Sequence, residues 1–235
     1  MLRLLDELEE TPGSAVSLYM PPGLPATEIE QMLALPLGGD DIVPDVAKAA
    51  ARSPKGAALL WGEQGKYLVL PPFPVSERLF CSGYDVENLR SLLQQEYVVA
   101  LILLRLGAYA VGVFQGESLL SSKVGTGYIH SRHRKGGSSQ KRFARGREKD
   151  IEQFFDRVCV RLKERLEPFI GQLDYVFYGG ERHTLLGFRK RCHFLEQVQD
   201  RVLSPLLNVR EPRQATLEAA IEDVWTSTVI QWHEK

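Results

Sequence analysis

Hydrophobic residues change their spacing several times along the chain, and each change marks a predicted element. In the first third, apolar runs at 57–61 and 66–70 flank a Gly-Glu-Gln-Gly turn, a pattern typical of a β-hairpin. A short β-prone run at 15–20 comes before it, as do three stretches of helical periodicity at 1–10, 26–36 and 41–52. Three prolines within 71–74 cannot continue a strand ladder and predict a linker. We therefore predict a small α+β N-terminal domain over residues 1–72.

Strand and helix patterns alternate in the remainder, which predicts an α/β fold with a mixed sheet flanked by helices over residues 73–235. Residues 97–107 are almost entirely apolar, as expected of a strand covered on both faces. A long amphipathic helix is predicted from near residue 140 to Glu167, because apolar side chains recur there at three- and four-residue steps. The other predicted strands and helices are strands at 78–82, 108–116, 117–125, 173–180 and 206–210, and helices from Asp85, over 184–201 and from Thr216.

Charge is concentrated in residues 123–149, called here the basic segment. It holds nine Lys and Arg against one acid, Glu148, a charge of +8 in a protein whose net charge is −1. The other 208 residues therefore sum to −9. A cluster of this kind on an acidic protein predicts a polyanionic partner, with phosphate neutralisation supplying much of the affinity.

Several other classes of protein are disfavoured by the sequence. The first ten residues are acidic and amphipathic, unlike a signal peptide, and the longest apolar run is too short to cross a bilayer. Three scattered cysteines, Cys81, Cys159 and Cys192, suggest a reducing cytoplasm without a disulfide framework or a metal site. The glycines of the basic segment lack P-loop spacing. His130 and His133 have no neighbouring carboxylate or cysteine ligand, which favours solvated or RNA-facing histidines.

The centre of the basic segment contains Gly136, Gly137 and Gln140. The two glycines add backbone freedom and permit close approach to a ligand. The nearby serines have no visible third partner for nucleophilic catalysis. A glutamine amide does not titrate usefully, but it donates and accepts hydrogen bonds at once, so it can hold a water molecule or a leaving hydroxyl in place.

Residues 136–145 read GGSSQKRFAR, which resembles the Gly-Gly-Gln loop and following helix of eukaryotic and archaeal class 1 peptide-release factors. The order of elements from Phe73 to about Glu222 is also similar. In a gapless alignment Ser138 takes the position of the family glutamine, and Gln140 lies two residues later. This displaced form resembles the Vms-type release-factor-like branch, including its bacterial relatives. Neither a stop-codon-reading motif nor a domain that docks a partner GTPase is expected.

The resemblance implies the middle domain of release factors, an RNase H-like mixed sheet, and a cytoplasmic peptidyl-tRNA hydrolase that acts in ribosome rescue. Gly136 and Gly137 would let the loop enter the peptidyl-transferase centre, and Gln140 would position the attacking water. The implied contacts to ribosomal RNA and the tRNA acceptor end are Arg132, Arg134, Lys135, Lys141, Arg142 and Arg145. The partners would be the large ribosomal subunit and peptidyl-tRNA. No cofactor, metal or membrane is implied, and a monomer is favoured.

Two alternatives stay open at this point. One is a nuclease that cuts the CCA end of tRNA with the same loop, and the other is a non-catalytic ribosome- or tRNA-binding factor. The sequence favours ester hydrolysis over cutting, because the loop contains no acid and Glu148 and Asp150 are interpreted as helix-face charges. A second, smaller basic cluster at 182–183 and 189–191 either extends the RNA-binding surface or is a solvated helix face.

Overall fold

A computed structural model describes residues 1–9, 14–34, 37, 43–131 and 138–232. The helices are α1 (Leu2–Glu9), α2 (Ala26–Ala34), α3 (Val43–Arg52), α4 (Glu87–Gln94), α5 (Ser138–Leu166), α6 (Arg182–Arg191) and α7 (Gln214–Val224). The strands are β1 (Ala15–Met20), β2 (Ala57–Gly62), β3 (Gly65–Leu70), β4 (Leu79–Ser82), β5 (Val98–Arg105), β6 (Ala108–Gln115), β7 (Ser118–Thr126), β8 (Tyr175–Gly180), β9 (Val202–Leu207) and β10 (Thr228–Trp232). The chain divides into two units, residues 1–95 with 225–235, and residues 96–224.

The first unit is an antiparallel sheet with the strand order β10-β3-β2-β1-β4. Alternate residues of β1 point to opposite faces, as the two-residue period of a strand requires. Leu18 and Met20 pack in a buried cluster with side chains of α2 and α3, whereas Tyr19 packs in another cluster with side chains of α1 and α4. Both faces of this sheet are therefore covered by helices. Arg90 of α4 also donates to Asp6 and Glu9 of α1, at 2.7 and 2.6 Å.

The boundary predicted after residue 72 differs from the division that the structure shows. The proline-rich segment does leave the strand ladder, but Phe73 within it is fully buried and meets the ring of Trp225 edge-on, with ring centroids 4.7 Å apart. The backbone N–H of Val75 donates to the carbonyl of Lys55 at 2.9 Å. Strand β4 then pairs with β1, so the chain from 73 to 95 belongs to the first unit.

The second unit contains the mixed sheet predicted from the sequence, with the strand order β7-β6-β5-β8-β9. The β5–β6 and β6–β7 pairs are antiparallel, whereas β5–β8 and β8–β9 are parallel. One face packs on α5 and α6, where Ile102 joins a buried cluster with Phe154 and Val158. The opposite face carries α7, and an ideal Cβ at Gly112 would lie only 2.8 Å from Leu217 of that helix. An α/β unit with helices on both faces of a mixed sheet is confirmed.

Three local predictions for the second half differ from the structure, and one strand was not predicted. The stretch 184–201 is two elements, because the chain leaves the α-helix at Cys192 and continues as a 3₁₀ helix, His193–Arg201. Strand β9 lies earlier than the predicted 206–210. Helix α7 begins at Gln214, which places Thr216 inside it. Strand β10 was not predicted.

The cysteine prediction also needs correction. Cys159 of α5 and Cys192 at the end of α6 form a disulfide, with their Cα atoms 5.5 Å apart. Their sequence separation of 33 residues concealed the pairing, which arises because α5 and α6 pack side by side. Cys81 is free. Within the described ranges, no helix is both long enough and apolar enough to cross a membrane.

Candidate nucleic-acid interface

The basic segment joins the end of β7 to the start of α5. Arg132, Arg134, Lys135, Gly136 and Gly137, which were predicted to bind RNA or to serve catalysis, lie outside the described residues. The backbones of two further predicted site residues, at 140 and 141, lie in the first turn of α5, and nothing is described of their side chains. The predicted start of the long helix near residue 140 is thereby confirmed.

The first three turns of α5 present an exposed cationic face. Arg142, Arg145 and Lys149 are exposed and follow one another at steps of three and four residues, so they share one side of the helix. Among the residues that the structure describes, none of these three cations forms an ion pair. No acid among the described residues therefore neutralises their charge, and the RNA contacts expected of Arg142 and Arg145 stay a prediction.

A polar cluster holds the chain beyond β7 against α5. The backbone N–H of His130 donates to Oδ2 of Asp150 at 3.1 Å, and Nδ1 of the His130 ring lies 2.5 Å from the same oxygen. Arg147, one turn before Asp150, donates to the backbone carbonyl of His130. We call these three residues the His130 clamp. The hydrogen bonds from His130 lower the pKa of Asp150 below its usual value of 3.8.

The His130 clamp changes two interpretations made from the sequence. Asp150 is not simply a helix-face charge, since its side chain is only 23% exposed and binds His130 at two points. His130 does have a carboxylate neighbour, which comes from a residue twenty positions later in the chain. In the part of the chain that is described, no group of three or more His, Cys, Asp or Glu side chains could hold a metal ion.

Gly127 brings the chain close to α5 just before the His130 clamp. An ideal Cβ at this position would lie 2.6 Å from the Phe154 ring and 2.9 Å from the Arg157 guanidinium. The Gly127 N–H donates to the carbonyl of Gly107 in the β5–β6 turn at 2.9 Å. A side chain at residue 127 would therefore force the chain away from the helix.

Tyr128 follows Gly127 and was not considered in the sequence analysis. Its side chain is 76% exposed, and its ring meets the His130 ring edge-on, with centroids 5.0 Å apart. An aromatic residue interleaved with cations is a known feature of surfaces that bind single-stranded nucleic acid, and it could have drawn attention to this position. Its exposure makes Tyr128 a candidate contact for RNA in addition to the cationic face of α5.

The smaller basic cluster divides into two kinds of residue. Arg191 pairs with Asp156, Nε to Oδ1 at 2.5 Å, and Arg189 lies over the ring of Tyr178 at 5.4 Å from its centroid. These two arginines are committed to contacts within the second unit. Arg182 and Lys190 are exposed and form no ion pair within the described ranges.

A mixed sheet, a long helix and a basic segment with glycines and a glutamine are the features expected of a release-factor-like protein. Residues 97–230, more than half of the chain, match the sequence model of the Actinobacteria/chloroflexi VLRF1 release factor family, acVLRF1. The chain therefore belongs to the VLRF1 release factor family. The resemblance inferred from residues 136–145 is confirmed at the level of the family.

Curated relatives are archaeal release factors. Peptide chain release factor subunit 1 of Archaeoglobus fulgidus is 28% identical over 138 residues, which cover 58% of this chain and 34% of the relative. The corresponding protein of Saccharolobus solfataricus is 23% identical over 248 residues, which cover 93% of this chain and 67% of the relative. The crystal structure of archaeal translation termination factor aRF1 is similar at 18% identity and a TM-score of 0.40, with 94% of this chain and 68% of that chain covered. The chain thus spans about a third to two thirds of the length of these curated relatives.

Proposed function

We propose that this protein is a ribosome-associated rescue factor that hydrolyses the ester between a nascent chain and its tRNA. Membership of a release-factor family supports the general activity. The observation that carries the proposal is the position of Gln140 in the first turn of α5, immediately before the exposed cationic face. A rigid helix then links the group proposed for chemistry to the groups proposed for RNA binding.

Gln140 is assigned the chemical role. Its amide oxygen accepts a hydrogen bond from a water molecule whose oxygen attacks the carbonyl carbon of the peptidyl ester. A bond forms between that oxygen and the carbonyl carbon, and the ester C–O bond breaks. The water contributes one proton to the departing ribose hydroxyl of the tRNA. Gly136 and Gly137 allow the backbone to approach the ester, and ribosomal groups stabilise the charge that develops on the carbonyl oxygen.

The basic side chains are assigned to binding. Arg142 and Arg145 contact phosphates of ribosomal RNA or of the tRNA acceptor end, and the remaining proposed contacts are Arg132, Arg134, Lys135 and Lys141. The proposed partners are the large ribosomal subunit and peptidyl-tRNA in the cytoplasm, and the proposed state is a monomer. No metal or cofactor takes part in this mechanism.

Release of a labelled nascent chain from stalled ribosomes and from isolated large subunits tests the proposal. The variants are Gln140→Ala, Gly137→Ala and, as a matched control, Gln153→Ala, which removes an exposed glutamine from the same helix. Removal of one positioning group at a reacting centre slows reactions by about a hundredfold or more, so we expect such a loss for Gln140→Ala. Equal release by the Gln140→Ala and wild-type proteins would remove Gln140 from the mechanism.

The same assay separates the alternatives. Ester hydrolysis leaves tRNA with an intact CCA end, whereas a nuclease leaves a shortened end, so the tRNA product is sequenced at its 3′ terminus. Salt-dependent binding to large subunits without release of the nascent chain would identify a non-catalytic factor. The absence of Asp and Glu from residues 123–147 supports hydrolysis over cutting, because this part of the basic segment offers no carboxylate as a general base.

A further inference from the structure

The ring of Tyr128 is an unusual feature of the second unit. Among the large hydrophobic side chains exposed in the described part of the chain, it has the greatest exposed fraction, 76%. Single exposed hydrophobic residues are common and need no explanation by themselves. The surroundings of Tyr128 give it a more specific meaning.

The backbone on both sides of Tyr128 is anchored. On one side, Gly127 is hydrogen-bonded to Gly107 and packs against Phe154 too closely to accept a Cβ. On the other side, Asp150 binds the N–H and the ring of His130, and Arg147 binds its carbonyl. The edge of one ring against the face of the other, at an interplanar angle of 76°, ties Tyr128 to His130. The exposed ring is therefore preorganised, and little conformational entropy remains to be lost when it binds a ligand.

Two guanidinium groups and one carboxylate lie near Tyr128. The Arg157 guanidinium is 2.9 Å from an ideal Cβ on Gly127, and Arg147 donates to the carbonyl of His130. The carboxylate is that of Asp150, which is already hydrogen-bonded to His130. The ring itself lies within the basic segment, whose charge is +8. A fixed aromatic face beside guanidinium groups has the composition of a site for an unpaired nucleotide, with stacking for the base and cations for its phosphate.

We propose that Tyr128 is a stacking platform for an unpaired RNA base at the site where this protein meets peptidyl-tRNA and the large ribosomal subunit. This inference rests on the proposed function and adds a binding residue to it. The base belongs either to the single-stranded tRNA acceptor end or to ribosomal RNA, and both present the same π face and phosphate. His130 and Asp150 are positioning residues, because they act on the RNA through the orientation of Tyr128.

Binding measurements test the proposal without reference to hydrolysis. The full chain is titrated against a fluorescent tRNA acceptor-stem minihelix with a single-stranded CCA end and, separately, against purified large ribosomal subunits. Loss of one stacked base weakens binding by about 5- to 150-fold, and we expect this for Tyr128→Ala on at least one of the two probes. Tyr128→Phe keeps the ring and is expected to bind like the wild type. Leu120→Ala, which truncates an exposed apolar side chain of β7, is the matched control.

The results distinguish the two sources of the base. Weaker binding to the minihelix assigns the base to tRNA, and weaker binding to the large subunit alone assigns it to ribosomal RNA. Unchanged binding of Tyr128→Ala to both probes would overturn the proposal, and so would a loss in Tyr128→Phe as large as that in Tyr128→Ala. A failure of Gln140→Ala to affect release concerns the proposed hydrolysis alone, since the binding assay does not depend on Gln140.

A double-mutant cycle tests the positioning residues. Asp150→Asn is expected to weaken RNA binding in the wild-type background. It should not weaken binding in the Tyr128→Ala background, where only the loss of its negative charge remains and favours RNA. A residue that only stabilised the fold would lower binding by the same factor in both backgrounds, and that result would remove Asp150 from the positioning role. Circular dichroism melting curves of every variant show that the proteins compared are folded.

Discussion

Replacement of three exposed cations in the first turns of α5 gives a quantitative test of the proposed RNA interface. Arg142, Arg145 and Lys149 are exposed, lie on one side of the helix and form no ion pair within the described residues. Arg147 is left unchanged, because it donates to the carbonyl of His130 and its removal would disturb the backbone. The variant Arg142→Ala/Arg145→Ala/Lys149→Ala therefore removes charge with little change in packing.

The expected magnitude follows from counterion release. Each phosphate contact contributes about 0.7 to 0.9 to the slope of log affinity against log salt concentration, so three contacts contribute about 2.1 to 2.7. Between about 50 mM and about 200 mM salt, the wild-type affinity should fall about 20- to 40-fold more than that of the triple variant. Pairing of these cations with acids of the same protein would have reduced this difference.

Sedimentation with purified large ribosomal subunits at a series of salt concentrations measures the slope. The matched control is Arg161→Ala/Lys163→Ala on the same helix, because Arg161 lies 2.9 Å from Glu164 and Lys163 lies 3.5 Å from Glu167. The control variant should keep the wild-type slope. Equal slopes for the triple variant and the wild type would refute the assignment of this helix face to phosphate binding.

Two further predictions concern the anchoring of the chain beyond β7. Gly127→Ala should lower the free energy of unfolding by about 1 to 3 kcal/mol, because the added methyl group would overlap the Phe154 ring. The methyl group added by Gly146→Ala, in the exposed part of α5, meets nothing within 4 Å, so this variant should raise the free energy of unfolding by about 0.5 to 1 kcal/mol. Thermal melting that ranked the two variants in the opposite order would contradict the described packing. Asp150 has a pKa below its usual 3.8, so its bonds to His130 stabilise the fold fully above that pH and are lost as the pH falls below it. The stability difference between wild type and Asp150→Asn should therefore shrink as the pH falls below 3.8, and a difference that persisted at pH values well below 3.8 would contradict this assignment.

Elements with a strong hydrophobic pattern were predictable from the sequence. Strand β5 is buried along all of its length except Arg105, and its apolar run identified it directly. Helix α5 has a regular apolar stripe over many turns, which outweighs local variation in propensity. The edge strands β4 and β7 were predicted, but the edge strands β9 and β10 were harder to predict. Strand β9 contains Pro205, and β10 has no fully buried residue, so neither shows the pattern of a core strand.

Part of the candidate site could likewise be predicted. The spacing of Gly136, Gly137 and Gln140 identified the family, and the pattern after it identified helix α5. Tyr128 was missed although it lies among cations in the sequence, because its exposure and its anchored neighbours are known only from the structure. The role of Asp150 was missed because a contact across twenty residues depends on how β7 and α5 pack.

The sequence by itself determined the basic segment, its Gly-Gly and Gln spacing, and the helix that follows, since charge and periodicity are properties of neighbouring residues. Only the tertiary structure decided which described cations lack an ion pair and which carboxylate holds His130. It also decided that the two units divide between residues 95 and 96 and between residues 224 and 225. The physical reason is that ion pairs, strand pairing and burial join residues far apart in the chain. Strand β4 pairs with β1, and β10 pairs with β3 across about 160 residues, and no local pattern encodes either choice.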